Sequence, residues 1–366
     1  MAIATVGIVG AGTMGGGIAT NLGQHGFAVA LTDGRPGAAA EAVAAAGSYY
    51  ARAAEKGRLS AANAEAALAR LRVAPSLAEL AEVDLVIEAV FEDLDLKARL
   101  LAELSPILRA EAIIATNTSC LRVGDLARHV RQPERFLGLH YFSPAAVNPI
   151  VEVVEGAATA AATVEAALAF CLASGKQPLR CRDSYGFAIN RFFCPYTNEA
   201  ARALEAGFGT TGEIDAVARD VLGAAAGPFT VMNLIKPRIN LHAIRNLGPL
   251  GHFYAPAKAM VEAGEADRSF AVEPAGLPEP ERASAIADHL LRGCFLAVLQ
   301  ALDEGVAEPA AFDQGARAAL KFGFGPCELM DRLGAAEVGR IIAPALAAHR
   351  LAMPAALSRV GSLTAS

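Results

Sequence analysis

Near its start the chain carries three glycines at a spacing that suits phosphate recognition. Gly10-Ala11-Gly12-Thr13-Met14-Gly15 follows an apolar run over 3–9 and precedes a helical pattern. In a strand–turn–helix context the first glycine permits a tight turn and the second lets backbone approach a pyrophosphate. The third lets helix and strand pack closely, and the open helix N-terminus faces the phosphates. Asp33 closes a second apolar run over 27–32, about 20 residues further on, where a carboxylate would hold a ribose 2′-hydroxyl. The pattern predicts a dinucleotide site built on Gly10, Gly12, Thr13, Met14, Gly15 and Asp33. A carboxylate at Asp33 repels a 2′-phosphate and favours NAD over NADP, whereas Arg35 works against that preference.

Such a turn needs a parallel sheet to hold it. Further apolar runs at 85–89, 113–116, 136–142 and 150–154 alternate with helical stretches at 93–109 and 121–130, and 36–72 reads as a helical pair with Ser60 as an N-cap. This alternation predicts a Rossmann-type doubly wound sheet with its ligand at the carboxyl ends of the strands. Beyond Asp183-Ser184-Tyr185-Gly186 the strand signal stops and an all-α C-terminal region begins. That region contains a repeat: Arg202-Ala-Leu-Glu-Ala-Gly207 matches Gln300-Ala-Leu-Asp-Glu-Gly305. At the same offset Asp215 matches Asp313, Ala218-Arg219 matches Ala316-Arg317, Gly227-Pro228 matches Gly325-Pro326, and Met232 matches Met330. The expected organisation is a nucleotide-binding domain over 1–184 and two repeated helical units over 185–283 and 284–366, packed face to face. Five prolines between 248 and 283 predict a connection with little regular structure there.

Composition narrows the class. A chain of 366 residues, 54% hydrophobic and without tryptophan, suits several packed cores rather than disorder. A net charge of −6 argues against a nucleic-acid partner. Six cysteines without C-x-x-C pairing predict reduced thiols and no metal site. No basic leader precedes the first strand, and no apolar run reaches membrane-spanning length without Gly, Pro or charge. The expected location is therefore cytoplasmic, without membrane insertion.

Four stretches, VIEAVFEDLDLK (86–97), ATNTSCL (115–121), GLHYFSPAAVNPIVEVVEG (138–156) and GFAINRFFCPYTNEA (186–200), occur in the order seen in 3-hydroxyacyl-CoA dehydrogenases. Over nearly its whole length the chain resembles that family, including the dehydrogenase half of multifunctional fatty-acid oxidation enzymes. The resemblance implies NAD-dependent, reversible oxidation of a 3-hydroxyacyl-CoA thioester to the 3-ketoacyl-CoA in fatty acid β-oxidation chemistry. It makes His140 the catalytic histidine and Glu152 its carboxylate partner. Removing an alcohol proton as hydride departs needs a base that titrates near neutrality, and a carboxylate on the other ring nitrogen would fix the tautomer. A satisfied structural histidine is the competing reading, and Glu155 the competing carboxylate.

The resemblance also places Ser119 and Asn190 around the reacting oxygen as substrate contacts, where their donors would stabilise developing charge. Ser119 could instead cap a helix starting near 121. Asn190 sits before Arg191 inside an apolar helix, where a buried amide needs a reason. Glu92 and Lys97 correspond to positions near the nicotinamide, with an ordinary solvated ion pair as the alternative, and Asn117 to a cofactor contact. Lys56 corresponds to a lysine that touches the CoA portion. No hydratase segment flanks these motifs, so a monofunctional dehydrogenase is expected, with a homodimer left open because the two helical units could mimic one internally.

Some positions depart from the family pattern. Tyr185 stands where proline is usual, Cys120 where a second serine is common, and Ser143 where many members have asparagine. After Gly227-Pro228-Phe229 the usual aspartate and glycine give way to Asn233 and Lys236-Pro237-Arg238. A guanidinium there suits a carboxylated acyl group, so Arg238 is a candidate specificity residue, against a reading as diverged surface charge. Two rival functions stay open: a same-fold dehydrogenase of a free hydroxy acid or sugar acid, and a non-catalytic NAD-binding protein.

Overall fold

The computed structural model describes residues 3–365 and divides into two compact units, one ending at Asp183 and the other beginning at Ser184. In the first, β1 (Thr5–Val9), α1 (Thr13–Gln24), β2 (Ala28–Thr32), α2 (Ala38–Glu55), α3 (Ala61–Ala69) and β3 (Leu71–Val73) are followed by β4 (Leu85–Glu88), α4 (Leu94–Leu104), β5 (Ile113–Thr116) and α5 (Val123–Ala127). Strands β6 (Phe136–Tyr141) and β7 (Ile150–Glu155), helix α6 (Ala161–Ala173) and β8 (Gln177–Arg182) complete it. The strands form one sheet in the order β3-β2-β1-β4-β5-β6-β7-β8, parallel throughout except for the antiparallel β6–β7 pair. Burial of β1 from Val6 onward and of the whole of β4, β5 and β6 explains why these segments read as unbroken apolar runs rather than alternating ones. Ser60 caps α3 through the Asn63 amide at 3.1 Å.

Three elements depart from the sequence-based expectation. Residues 71–72, read as the end of a helix, belong instead to edge strand β3 (Leu71–Val73) against β2. Strand β8 escapes notice because its burial alternates, Leu179 and Cys181 inward and Arg180 and Arg182 outward, in a segment crowded with cations. The proline-rich 248–283 stretch is not wholly irregular, because it contains helix α11.

The second unit comprises α7 (Ile189–Glu205), α8 (Thr211–Leu222), α9 (Pro228–Ile235), α10 (Pro237–Asn246), α11 (Lys258–Glu265), α12 (Pro280–Asp303), α13 (Pro309–Ala318), α14 (Pro326–Leu333) and α15 (Ala335–His349). Helix α12 has the length and apolar content of a membrane-crossing segment, but two thirds of its most apolar 18-residue stretch is buried, much of it against α7.

The matched positions of the repeat turn out to be packing devices. Asp215 accepts the amides of Phe229 (2.7 Å) and Thr230 (3.0 Å) at the start of α9. Asp313 does the same for Cys327 (2.8 Å) and Glu328 (3.1 Å) at the start of α14. Each aspartate thereby satisfies amides that lack an intrahelical partner. The paired glycines admit these carboxylates: a Cβ on Gly227 would lie 2.3 Å from Asp215, and one on Gly325 2.2 Å from Asp313. Left-handed backbone recurs at the same offset, at Gly223 and Lys321 (φ 60° and 59°) and at Lys236 and Gly334 (75° and 81°). Ala225 N–H donates to Lys321 O at 3.0 Å while Gly323 N–H donates to Gly223 O at 3.1 Å, a reciprocal pair that relates the two copies by an approximate two-fold.

Gly227→Ala and Gly325→Ala should each lower stability by about 1–3 kcal/mol, the scale of overpacking, read as a reduced denaturant midpoint. Gly276→Ala, whose Cβ would meet open space, is the control and should leave the midpoint unchanged.

Candidate active site

The glycine turn is shaped by contact on two sides and by space on the third. Gly10 has φ 101°, and a Cβ there would lie 2.5 Å from Ala89 O; a Cβ on Gly15 would lie 1.8 Å from Gly10 O. At Gly12, by contrast, an added Cβ meets nothing within 4 Å. Gly12 is the N-cap of α1 and offers no side chain to it, so the first-turn amides of Thr13 and Met14 belong to an uncapped helix start. This is a cradle that a phosphate fits. Asp33 accepts the Ala11 amide through Oδ2 and the Arg35 amide through Oδ1, both at 2.7 Å. Two carboxylate oxygens offer about four acceptor sites, so capacity for a ribose hydroxyl remains. Arg35 itself turns to Glu41 at 2.6 Å, and its guanidinium is committed there. Thus the residues present fit NAD.

At the carboxyl ends of β4 and β5 lies a buried charge cluster. Lys97, fully buried, donates to Glu88 at 2.7 Å and lies 3.4 Å from Glu92. This is no solvated pair. Glu88 also accepts Thr116 Oγ1 at 2.7 Å and the Val90 amide at 2.8 Å, so the buried carboxylate is fully engaged. Glu92 accepts the amides of Ser119 and Cys120, both at 2.9 Å, together with the Thr118 hydroxyl. Burial pushes the Glu92 carboxyl up, but Lys97 and these hydrogen bonds outweigh it and hold the group below the ordinary carboxylate value. Glu92 therefore fixes the backbone of the Ser119 loop. Sequence reasoning missed Glu88; the signal was a carboxylate closing the apolar strand Leu85-Val86-Ile87, which requires a buried partner.

Ser119 is not a helix cap. Helix α5 starts at Val123, and the hydroxyl that accepts the Leu121 amide is that of Thr118, at 2.9 Å. Asn117 accepts the Tyr141 amide through Oδ1 at 2.9 Å, tying the end of β5 to the end of β6.

The antiparallel register sets His140 directly opposite Glu152. Partners across such a pair share a face of the sheet, and His140 Nδ1 lies 2.6 Å from Glu152 Oε2. The imidazole is 4% exposed and the carboxylate fully buried, with the Phe142 ring 4.4 Å from the imidazole centroid. An ionised carboxylate only accepts, so Glu152 selects the tautomer with the proton on Nδ1. Glu155 does not compete: it ends β7 and pairs with Arg180 at 2.8 Å.

Lys56, exposed, follows the last residue of α2. In the second unit Asn190 is not buried mid-helix; it is the second residue of α7 and half-buried. The buried polar residue is its neighbour Arg191, which is 1% exposed and bonds Ser184 and Tyr254, both at 3.1 Å, and Glu304. Arg238 is exposed in the first turn of α10, 3.8 Å from Asp267.

Residues 5–184 match the family model for the NAD binding domain of 3-hydroxyacyl-CoA dehydrogenase, and residues 186–271 match the model for its C-terminal domain. A 3-hydroxyadipyl-CoA dehydrogenase from Escherichia coli K12 is 40% identical over 238 residues, which cover 65% of this chain and 50% of that protein. The chain thus spans about half the length of this curated relative. Among solved structures, (S)-3-hydroxybutyryl-CoA dehydrogenase from Ralstonia eutropha is 35% identical, with 72% of this chain and 94% of that one covered and a TM-score of 0.70. A 3-hydroxybutyryl-CoA dehydrogenase from Escherichia coli K12 is 25% identical, covering 99% of both chains with a TM-score of 0.87.

The three glycines should separate binding from folding. Gly12→Ala should keep the parent's melting temperature yet weaken NADH binding by about 10-fold or more, roughly 1.4 kcal/mol, by fluorescence titration. Gly15→Ala should lower the melting temperature itself.

Proposed function

The chain belongs to the 3-hydroxyacyl-CoA dehydrogenase family, and from that premise we propose that it oxidises the 3-hydroxyl of an acyl-CoA to the ketone, reversibly. The observation that carries the proposal is the buried His140–Glu152 pair at 2.6 Å, on the strand next to β5 and its polar loop. NAD, when bound at the Gly10–Gly15 turn and Asp33, supplies the hydride acceptor. His140 takes the hydroxyl proton on Nε2, because Nδ1 is engaged by Glu152. Glu152 then stabilises the imidazolium without accepting the proton itself. Ser119, on a loop held by Glu92 and Lys97, and Asn190 supply donors to the C3 oxygen as its charge grows. In the reverse direction His140 returns the proton.

The substrate is a soluble acyl-CoA thioester. A terminally carboxylated acyl group is the finer reading: the curated relative is named for a 3-hydroxyadipyl thioester, and Arg238 presents a guanidinium at the diverged start of α10.

NADH oxidation over a panel of straight-chain and dicarboxylyl 3-ketoacyl-CoAs tests both levels. His140→Ala should reduce kcat by about 10²–10⁴-fold, the range for a general acid or base, and Glu152→Gln should also lower kcat with little change in the KM for NADH. Arg238→Ala should lose preference for the dicarboxylyl thioester. Activity retained in His140→Ala would overturn the assignment, and unchanged selectivity in Arg238→Ala would overturn the finer one.

A further inference from the structure

The β6–β7 hairpin that opposes His140 to Glu152 is closed by residues 142–149. A hairpin loop with few apolar contacts would let the two ends drift, yet this one is anchored from within the domain. Lys176, 4% exposed and immediately before β8, sends its Nζ to the carbonyls of Ala145 (2.8 Å) and Asn148 (2.7 Å). Beside it, the Gln177 amide donates to Pro149 O at 2.7 Å. On the other side the loop leans on α1: a Cβ at Gly17 would lie 3.2 Å from the Ala145 methyl. Ala146 shares one surface cavity of about 460 Å³ with Gly12, Thr13, Gly16 and Gly17. The loop therefore touches both the acid/base hairpin and the helix that begins at the dinucleotide turn.

We propose that Lys176 is a positioning residue: its ammonium clamps the 142–149 loop and thereby fixes the reach of His140 relative to the α1 turn. The proposal rests on His140 and Glu152 being the acid/base pair. A buried ammonium is a costly way to satisfy two carbonyls unless their placement matters. Burial lowers the ammonium to about 8, which still leaves it charged at neutral pH, where the two carbonyls satisfy it. A clamp also has the needed leverage, since a displacement of about 1 Å can cost about 10²-fold in rate.

Lys176→Met keeps the stem and removes the donors. Amide hydrogen exchange of the full chain, without substrate, should show faster exchange at Val147 and Asn148, whose amides bond Pro144 O, while α2 and α3 stay protected. In steady-state assays kcat should fall about 10-fold or more, with the KM for NADH within about two-fold, and Lys176→Arg should restore part of kcat. If Lys176→Met does not fold, Lys176→Gln is read in the same way and should give the same confined exchange with a smaller loss of kcat. Unchanged loop exchange and kcat would overturn the proposal. So would loosening spread evenly over the whole first unit, which is what a merely structural lysine would give. Because exchange is read without catalysis, failure of the acid/base reading (an active His140→Ala) is distinguishable from failure of the clamp.

Discussion

A histidine and a glutamate buried on facing strands impose the main constraint on the first unit. Neither side chain reaches enough water to be satisfied by it, so both need partners within the protein, and the 2.6 Å contact between them holds only in one register of the β6–β7 pair. A slip of one residue in either strand would leave the two side chains on opposite faces of the sheet. Several features follow from that requirement. Among the described strands the direction reverses at the β6–β7 pair, where a short loop joins the two strands that carry the histidine and the glutamate. Asn117 ties β6 to β5, and Glu92 draws the Ser119 loop toward the same end of the sheet.

The second unit answers a different demand, the satisfaction of helix ends. Its two copies use one solution twice, an aspartate from one helix accepting the first amides of the next helix through a glycine gap. The copies are not equivalent in chemistry. At the repeat offset Asn190 corresponds to Asp288, which is paired with Arg340 at 2.6 Å. The second copy keeps the devices that build the fold but carries a carboxylate where Asn190 stands in the first.

Much of this was legible because the physics is local. The glycine turn, Asp33, the parallel strands and the repeat are short-range patterns whose spacing states their geometry. His140 and Glu152 were legible through a resemblance spanning four motifs, and their mutual contact follows from strand neighbours in one hairpin. The sequence was silent where partners are distant or patterns mixed. Glu88 and Lys97 look like ordinary charges until β4 and the start of α4 bury both. Lys176 sits 28 residues from Asn148 and reveals nothing of the carbonyls it clamps. Strand β8 hides because its outward positions are arginines, and the apolar residues around Asn190 suggest a buried amide there, whereas the burial falls on Arg191.

The most direct test of the acid/base pair is nitrogen-15 NMR of the His140 ring in the otherwise unmodified protein, compared with Glu152→Gln. The expected result is a proton on Nδ1, strongly hydrogen-bonded and far downfield, that shifts upfield or exchanges away when Glu152 becomes Gln. A ring protonated on Nε2 alone, or an Nδ1 signal indifferent to Glu152→Gln, would contradict it.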